Sequence, residues 1–193
     1  MKKLESTWYN MVIVLTLIAV IAGVALGYVN ELTKGPIEAI KAQQLADGIK
    51  AVLGGQELNV EAPDTLENGA IVYRTDKGTA VQASDPNGFG GTLTVLVGFD
   101  AESNILGYQV LESSETPGLG AKAGAWFQKD GKGSIIGMNP GTNNMTVSKD
   151  GGEVDAITAA TISSRAFLDA VAQAYSVIAT STDATTAATQ QAN

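Results

Sequence analysis

The fold is decided by residues 92–111, which read TLTVLVGFDAESNILGYQVL. Two runs rich in apolar and β-branched residues, 92–99 and 105–111, flank the short polar segment 100–104. Such runs suit the surface of a half-buried sheet, and a polar connection of this length between them is typical of a β-hairpin. The stretch therefore predicts two antiparallel strands.

A second hairpin is predicted just before this one. Residues 71–74 and 79–82 are of the same type, and the segment 76–78, DKG, lies between them as a turn signal. Residues 87–91, NGFGG, predict a flexible entry to the long strand that follows, because glycine adopts many backbone conformations.

Helices are predicted at both ends of these strands. Pro36 suits the first turn of a helix, and Gly54 and Gly55 end it. Residues 121–128 predict a short helix, and residues 131–152 predict loops with two short strands at most. The clearest helix follows residue 161, where one apolar face is formed by Phe167, Val171, Ala174, Tyr175 and Ile178. Antiparallel hairpins with helices at both ends predict an α+β domain.

An apolar segment near the N-terminus predicts a membrane anchor. Residues 6–30 carry no charge, and as a helix they are about 37 Å long, against about 30 Å for the hydrocarbon core of a bilayer. Trp8 and Tyr28 lie near its ends, where aromatic rings favour the interface. The alternative is a cleaved signal peptide, but the apolar run is longer than such peptides use. Lys2 and Lys3 favour a cytoplasmic N-terminus and an exported domain.

Composition excludes several functions. The 12 Lys+Arg against 20 Asp+Glu give a net charge of −8 without a basic cluster, so nucleic acid is not an expected partner. The chain has no Cys and no His, which removes thiolate and imidazole chemistry, most zinc sites and the usual ligands of haem and iron–sulfur clusters. No metal site is expected, and a redox role requires an organic cofactor.

The segment 155–164, DAITAATISS, places several hydroxyls before the last helix. Thr161, Ser163 and Ser164 each suit the N-cap position, and the local pattern alone favours that role. A helix N-terminus also binds phosphate well, because its free N–H groups and its dipole favour an anion. A threonine hydroxyl there could hold a phosphate covalently.

The same segment resembles the flavinylation motif Asp-x-x-(Ser/Thr)-Gly-Ala-Thr, at which flavin transferases move FMN from FAD onto threonine. The match is at Asp155, Thr158, Ala160 and Thr161, and the resemblance implies FMN joined to Thr161 by a phosphoester. The sequence departs from the motif at Ala159, where the family usually has glycine. If this position requires a positive φ, alanine adds strain of about 1–2 kcal/mol.

A second motif is residues 114–120, SETPGLG. By pattern it is a turn with Pro117 and Gly118 at the two central positions, and as a whole it resembles the flavin-facing loop of the same family. Residues 87–91 resemble that family's Gly-aromatic-x-Gly element. Besides Thr161, the resemblance implies cofactor contacts from Glu115, Thr116, Gly118, Leu119, Gly120, Thr158, Ala160 and Ser163. Trp126 and Phe127 suit either the flavin ring or, more commonly, the core.

The three elements occur in the family's order and follow the anchor. Together they resemble the G subunits of Rnf complexes, which are ferredoxin:NAD oxidoreductases coupled to ion translocation. The C subunits of the sodium-pumping NADH:quinone reductase are similar but typically longer. The resemblance implies a single N-terminal transmembrane helix followed by an antiparallel-sheet FMN-binding α+β domain flanked by helices.

The implied function is electron transfer by covalent FMN within a redox-driven ion translocase. The chain has no dinucleotide fingerprint and no iron–sulfur ligands, so it is not a complete enzyme alone. The implied partners are the other membrane subunits and a flavin transferase, and the implied location is the cytoplasmic (inner) membrane with the flavin domain on the extracytoplasmic, periplasmic side. The alternatives are a quinone-reductase C subunit, a stand-alone flavin carrier, or a non-catalytic anchored binding module.

The sequence predicts four segments. They are a tail and transmembrane anchor over 1–30, a juxtamembrane helix over 31–56, the FMN-binding domain over 57–179 and a disordered tail over 180–193.

Overall fold

The computed structural model of the chain describes residues 7–55, 58–66 and 69–191. The chain divides into two compact units, Met1–Gln44 and Leu45–Asn193.

The first unit consists of most of helix α1, which spans Trp8–Val52. An 18-residue window of this helix has a mean hydropathy of 2.7 and is 0% buried. Within the described ranges, α1 is the helix long and apolar enough to cross a membrane, as the sequence predicts. Lys2 and Lys3, on which the predicted orientation rests, lie outside the described residues.

Helix α1 differs from the prediction at Pro36. The sequence predicts that the anchor region ends at Gly35 and that a new helix begins at Pro36, but the structure has one continuous helix with Pro36 inside it. A proline inside a helix removes one hydrogen bond and crowds the preceding turn, at a total cost of about 3 kcal/mol, whereas starting a second helix requires a new and costly nucleus. Continuing the existing helix is therefore favoured.

The second unit is built on a five-stranded antiparallel sheet with strand order β1-β2-β3-β4-β5. The strands are β1 Asp64–Thr65, β2 Ile71–Thr75, β3 Gly78–Gly88, β4 Gly91–Phe99 and β5 Ile105–Ser113. Both predicted hairpins are confirmed. The predicted flexible entry at 87–91 is instead a third hairpin, because β3 continues to Gly88, which pairs with Gly91.

Strand β4 is buried on both faces rather than on one. On one face, Val95, Val97 and Phe99 belong to the main core with helix α3, which spans Thr161–Gln191. On the other face, Leu96 packs in a second cluster with the C-terminal end of α1. An antiparallel strand reads as a continuous apolar run when both faces of the sheet are covered, which explains the composition of residues 92–99.

The connections between β5 and α3 are short helical turns and loops. A 3₁₀ helix at Gly120–Lys122 leads into helix α2, Ala123–Trp126, and a second 3₁₀ helix lies at Ser148–Asp150. In place of the predicted short strands, an isolated parallel bridge joins Val147 and Val154. The backbone of α3 is helical to Gln191, and the disordered tail over 180–193 stays a prediction.

Aromatic residues join α2 and α3 in the main core. Phe127 stacks on Phe167 with ring centroids 4.3 Å apart, and Tyr108 meets Phe167 edge-on at 4.8 Å. The Tyr108 hydroxyl donates to the Ala123 carbonyl, 2.5 Å away, and burial raises the pKa of this hydroxyl. Trp126 donates from its indole N–H to the Asp155 carbonyl at 2.8 Å. Phe127 is therefore a core residue, and Trp126 anchors the segment before α3.

Candidate functional site

Thr161 is the first residue of α3 and follows a tight turn. The Ala160 N–H donates to the Ile157 carbonyl at 3.0 Å, which closes a β-turn over residues 157–160. The buried Ser164 hydroxyl fixes this turn, because it accepts from the Ile157 N–H and donates to the Ala160 carbonyl, both at 2.9 Å. Ser164 therefore holds the entry to the helix, and Thr161 is not needed for that role.

Ala159 occupies the third position of this turn with φ +63°. A turn of this kind, with positive φ at its third residue, normally has glycine there. Position 159 therefore does require a positive φ, which is the case in which alanine is strained. Ala159 adopts this left-handed conformation at a cost of about 1–2 kcal/mol. The strain lies two residues before Thr161.

The loop at 114–120 forms the opposite side of the site. The Leu119 N–H donates to the Thr116 carbonyl at 3.1 Å, so Pro117 and Gly118 occupy the central turn positions as predicted. Gly118 has φ +79°, which glycine adopts without strain. The turn directs the chain into the 3₁₀ helix that begins at Gly120.

Glu115 ties three separate elements together. Its carboxylate accepts from the Ser163 hydroxyl on α3 at 2.7 Å and from the Gly90 N–H of the β3–β4 hairpin at 3.2 Å. Glu115 and Ser163 are 7% and 1% exposed. A Cβ at Gly120 would overlap Glu115 Oε2 and Ser163 Oγ, so glycine is required for this close approach. The hairpin, the loop and the helix therefore meet at one carboxylate.

These elements enclose a cavity of about 320 Å³. Its lining consists of Phe89, Glu115, Thr116, Leu119, Gly120, Ala159, Ala160, Thr161, Ile162 and Ser163. The structure thus brings seven of the predicted contact residues to one cavity: Glu115, Thr116, Leu119, Gly120, Ala160, Thr161 and Ser163. A cavity of this size lies at the lower end of the range for small-molecule sites.

Three predicted residues are outside the cavity lining. Gly118 and Thr158 shape the two turns, and Asp155 accepts a hydrogen bond from the Ser148 hydroxyl at 3.1 Å. Asp155 therefore joins the segment before α3 to the neighbouring turn at Ser148. Sequence reasoning named no contact at Phe89 or Ile162, although both line the cavity and are 70% and 50% exposed. The aromatic residue within residues 87–91 was the available signal for Phe89.

A cluster of charged side chains lies beside Thr161. Lys149 donates from its ammonium group to the Thr161 hydroxyl at 3.4 Å. Arg165 forms a two-point pair with Asp150, with distances of 2.7 and 2.8 Å. The Arg165 guanidinium, chiefly through its hydrogen bond, holds the pKa of Asp150 below its usual range. No local pattern indicates this cluster, because part of it comes from a segment predicted as loop.

Several known proteins resemble this chain over most of its length. Residues 88–176 match the family described as the FMN-binding domain. The chain is 34% identical to the G subunit of the ion-translocating oxidoreductase complex of Salmonella typhi, over 76% of this chain and 79% of that protein. It is 31% identical to the protein of the same name from Aliivibrio fischeri, over 84% and 86%. It is 28% identical to the G subunit of the Na(+)-translocating ferredoxin:NAD(+) oxidoreductase complex of Acetobacterium woodii, over 88% and 92%.

The fold, the cavity and the matched domain define the class: a membrane flavoprotein with an FMN-binding domain. Within that class, the chain belongs to the family of G subunits of ion-translocating oxidoreductase complexes. The family resemblance found in the sequence is confirmed.

The residues present suit FMN. The apolar lining at Phe89, Leu119 and Ile162 can contact a flat ring system, and the lack of a side chain at Gly120 leaves room close to the backbone. Thr161 supplies a hydroxyl at a helix N-terminus, where a phosphate is favoured. The cavity therefore offers an apolar part for the ring and a polar part for the phosphate.

Proposed function

We propose that the protein is an electron-transfer subunit of an Rnf-type complex and carries FMN through a phosphoester to Thr161. The observation that carries this proposal is the position of Thr161. It is the first residue of α3, it lines the cavity, and the turn before the helix is held by the Ser164 hydroxyl rather than by that of Thr161. Thr161, which matches the flavin-acceptor position of the motif, therefore also places its hydroxyl at the cavity.

Attachment is a phosphoryl transfer. The Thr161 oxygen forms a bond to the phosphorus of the FMN half of FAD, the bond from that phosphorus to AMP breaks, and AMP leaves while the hydroxyl proton is released. A flavin transferase catalyses this exchange. FAD supplies both the FMN and the leaving group, so no oxidant or reductant is required.

The residues of the site then bind and orient the cofactor. FMN supplies one- and two-electron redox chemistry, which side chains without Cys or His do not provide. The apolar lining excludes water from one side of the ring, and Glu115 places a buried carboxylate at the centre of the site. The free N–H groups of the first turn of α3 favour the charge of the phosphoester.

The proposed partners are the other membrane subunits of the complex and the flavin transferase. The three relatives compared with this chain are subunits of complexes, and their names favour the G subunits over the C subunits of quinone reductases. The proposed location is the cytoplasmic membrane, with α1 as the single anchor and the flavin domain on the extracytoplasmic side. The support for that orientation is the pair Lys2 and Lys3 before the apolar segment.

A denaturing gel tests the covalent bond. The chain is produced with and without a flavin transferase, and the band is examined for flavin fluorescence after boiling. We expect a fluorescent band only with the transferase, none for Thr161→Ala, and a wild-type signal for Thr142→Ala, an exposed threonine outside both the motif and the cavity lining. A fluorescent band from Thr161→Ala would refute the assignment.

A further inference from the structure

Three consecutive residues hold the attachment segment at three different points. In the 3₁₀ helix Ser148–Asp150, called here the 148–150 turn, Ser148 donates to Asp155, Lys149 donates to Thr161, and Asp150 pairs with Arg165. Along the chain, the residues contacted by Ser148 and Asp150 lie before and after Thr161, which Lys149 contacts. The turn is therefore fixed against both the motif and the first turns of α3.

The consequence of this arrangement is a positioned positive charge. Ser148 hydrogen-bonds to Asp155. The Arg165 guanidinium donates two hydrogen bonds to the Asp150 carboxylate. Within the part of the chain that the structure describes, no ion pair holds the Lys149 ammonium, and its side-chain hydrogen bond goes to the Thr161 oxygen. The group that would carry the phosphate thus already faces a cation.

From this geometry we propose that Lys149 is a positioning residue for flavin attachment, because its ammonium group binds the phosphate oxygens next to Thr161. This inference rests on the proposed function. During transfer, the phosphorus centre is bonded partly to the Thr161 oxygen and partly to AMP, and a nearby cation stabilises the charge on its equatorial oxygens. After transfer, the same ammonium neutralises the single charge of the phosphodiester. Ser148, Asp150, Asp155 and Arg165 serve to hold Lys149 in place.

The test measures the initial rate of flavin attachment with purified flavin transferase and FAD, followed by intact mass on the full chain in detergent. We expect Lys149→Gln to slow attachment by about tenfold, the effect of losing one charge-assisted hydrogen bond. Lys149→Arg keeps the charge and should react within about threefold of wild type. Lys129→Gln, which removes the charge of another exposed lysine outside the 148–150 turn, should react as wild type does.

Salt separates an electrostatic role from a structural one. Because Lys149 is exposed, raising the salt from about 0.05 M to about 1 M should reduce the difference between wild type and Lys149→Gln to about twofold or less. A wild-type rate for Lys149→Gln, an equal loss in Lys149→Arg, or a difference that persists at high salt would each overturn the inference while leaving the Thr161 adduct in place. Absence of any adduct on the wild-type chain would instead overturn the proposed function.

Discussion

Ala159 is the residue at which this chain departs from its family's motif, and the structure gives the departure a measurable cost. The residue keeps the left-handed φ that the usual glycine would adopt freely. Alanine is tolerated there because the Ile157–Ala160 hydrogen bond and the Ser164 hydroxyl hold the turn from both sides. The strain raises the free energy of the folded state and therefore lowers the free energy of unfolding.

Ala159→Gly should therefore stabilise the protein. Relief of about 1–2 kcal/mol of strain outweighs the entropic cost of glycine, about 0.5–1 kcal/mol, so the free energy of unfolding should rise by about 0.5–1 kcal/mol. The matched control is Ala172→Gly on the exposed face of α3, which should lose about 1 kcal/mol. Urea denaturation measures both. Flavin occupancy of Ala159→Gly should equal or exceed that of wild type, and a marked loss would show a separate requirement for alanine.

At the scale of elements, the site depends on how closely the 114–120 loop approaches α3. Gly120 is the point of closest approach, since a side chain there would meet both Glu115 and Ser163. The hydrogen bond between those two residues joins the loop to the helix and is buried. A change at Gly120 therefore acts on the shape of the cavity and on this bond together.

Gly120→Ala should lower both stability and flavin attachment. Breaking the buried Glu115–Ser163 bond costs about 1–3 kcal/mol, because the Ser163 hydroxyl and one oxygen of the Glu115 carboxylate each lose a partner away from water. Gly124→Ala is the control: its Cβ would meet nothing within 4 Å, and as an alanine in helix α2 it should not lower the melting temperature or change the attachment rate. Equal behaviour of the two variants would contradict the described packing of the loop.

The pair that fixes the 148–150 turn makes stability depend on pH. Because folding lowers the pKa of Asp150, the pair stabilises the fold above the ordinary aspartate pKa of 3.8 and ceases to do so as the pH falls through the lower folded-state pKa. Asp150→Asn should lower the urea midpoint at about pH 7, and its difference from wild type should vanish near about pH 2. Asp130→Asn, another exposed aspartate, should match wild type at both pH values.

Local pattern in the sequence predicted some of these features and not others. The hairpins follow from apolar runs around polar turns, and the Pro117–Gly118 turn follows from the residues themselves. The 148–150 turn was missed because its role depends on contacts with residues later in the chain, which no local period encodes. The burial of β4 on both faces was missed for the same reason, since the second cover comes from the end of α1.

At the scale of the whole molecule, the C-terminal end of α1 belongs to the second unit. Ile49, Val52 and Leu53 pack in one cluster with residues of the sheet. Gly98 and Gly107 have no side chains where the Val52 backbone comes closest. The division of the chain falls before this cluster, at residue 45.

Two truncations test this division. A chain that begins at residue 45 should be soluble without detergent, keep its melting temperature and accept flavin, because it retains the cluster. A chain that begins at residue 58 should lose about 5–9 kcal/mol of stability, since the burial of three large apolar side chains is removed. Thermal unfolding of both products gives the comparison. Equal stability would show that the end of α1 contributes nothing to the domain.

The central claim is that Thr161 carries the cofactor, and peptide mapping by mass spectrometry tests it most directly. The chain is produced together with a flavin transferase, its intact mass is measured, and the modified peptide is sequenced by fragmentation. We predict a mass increase equal to FMN less one water, located on Thr161. An unmodified chain, or an adduct on any other residue, would contradict the claim.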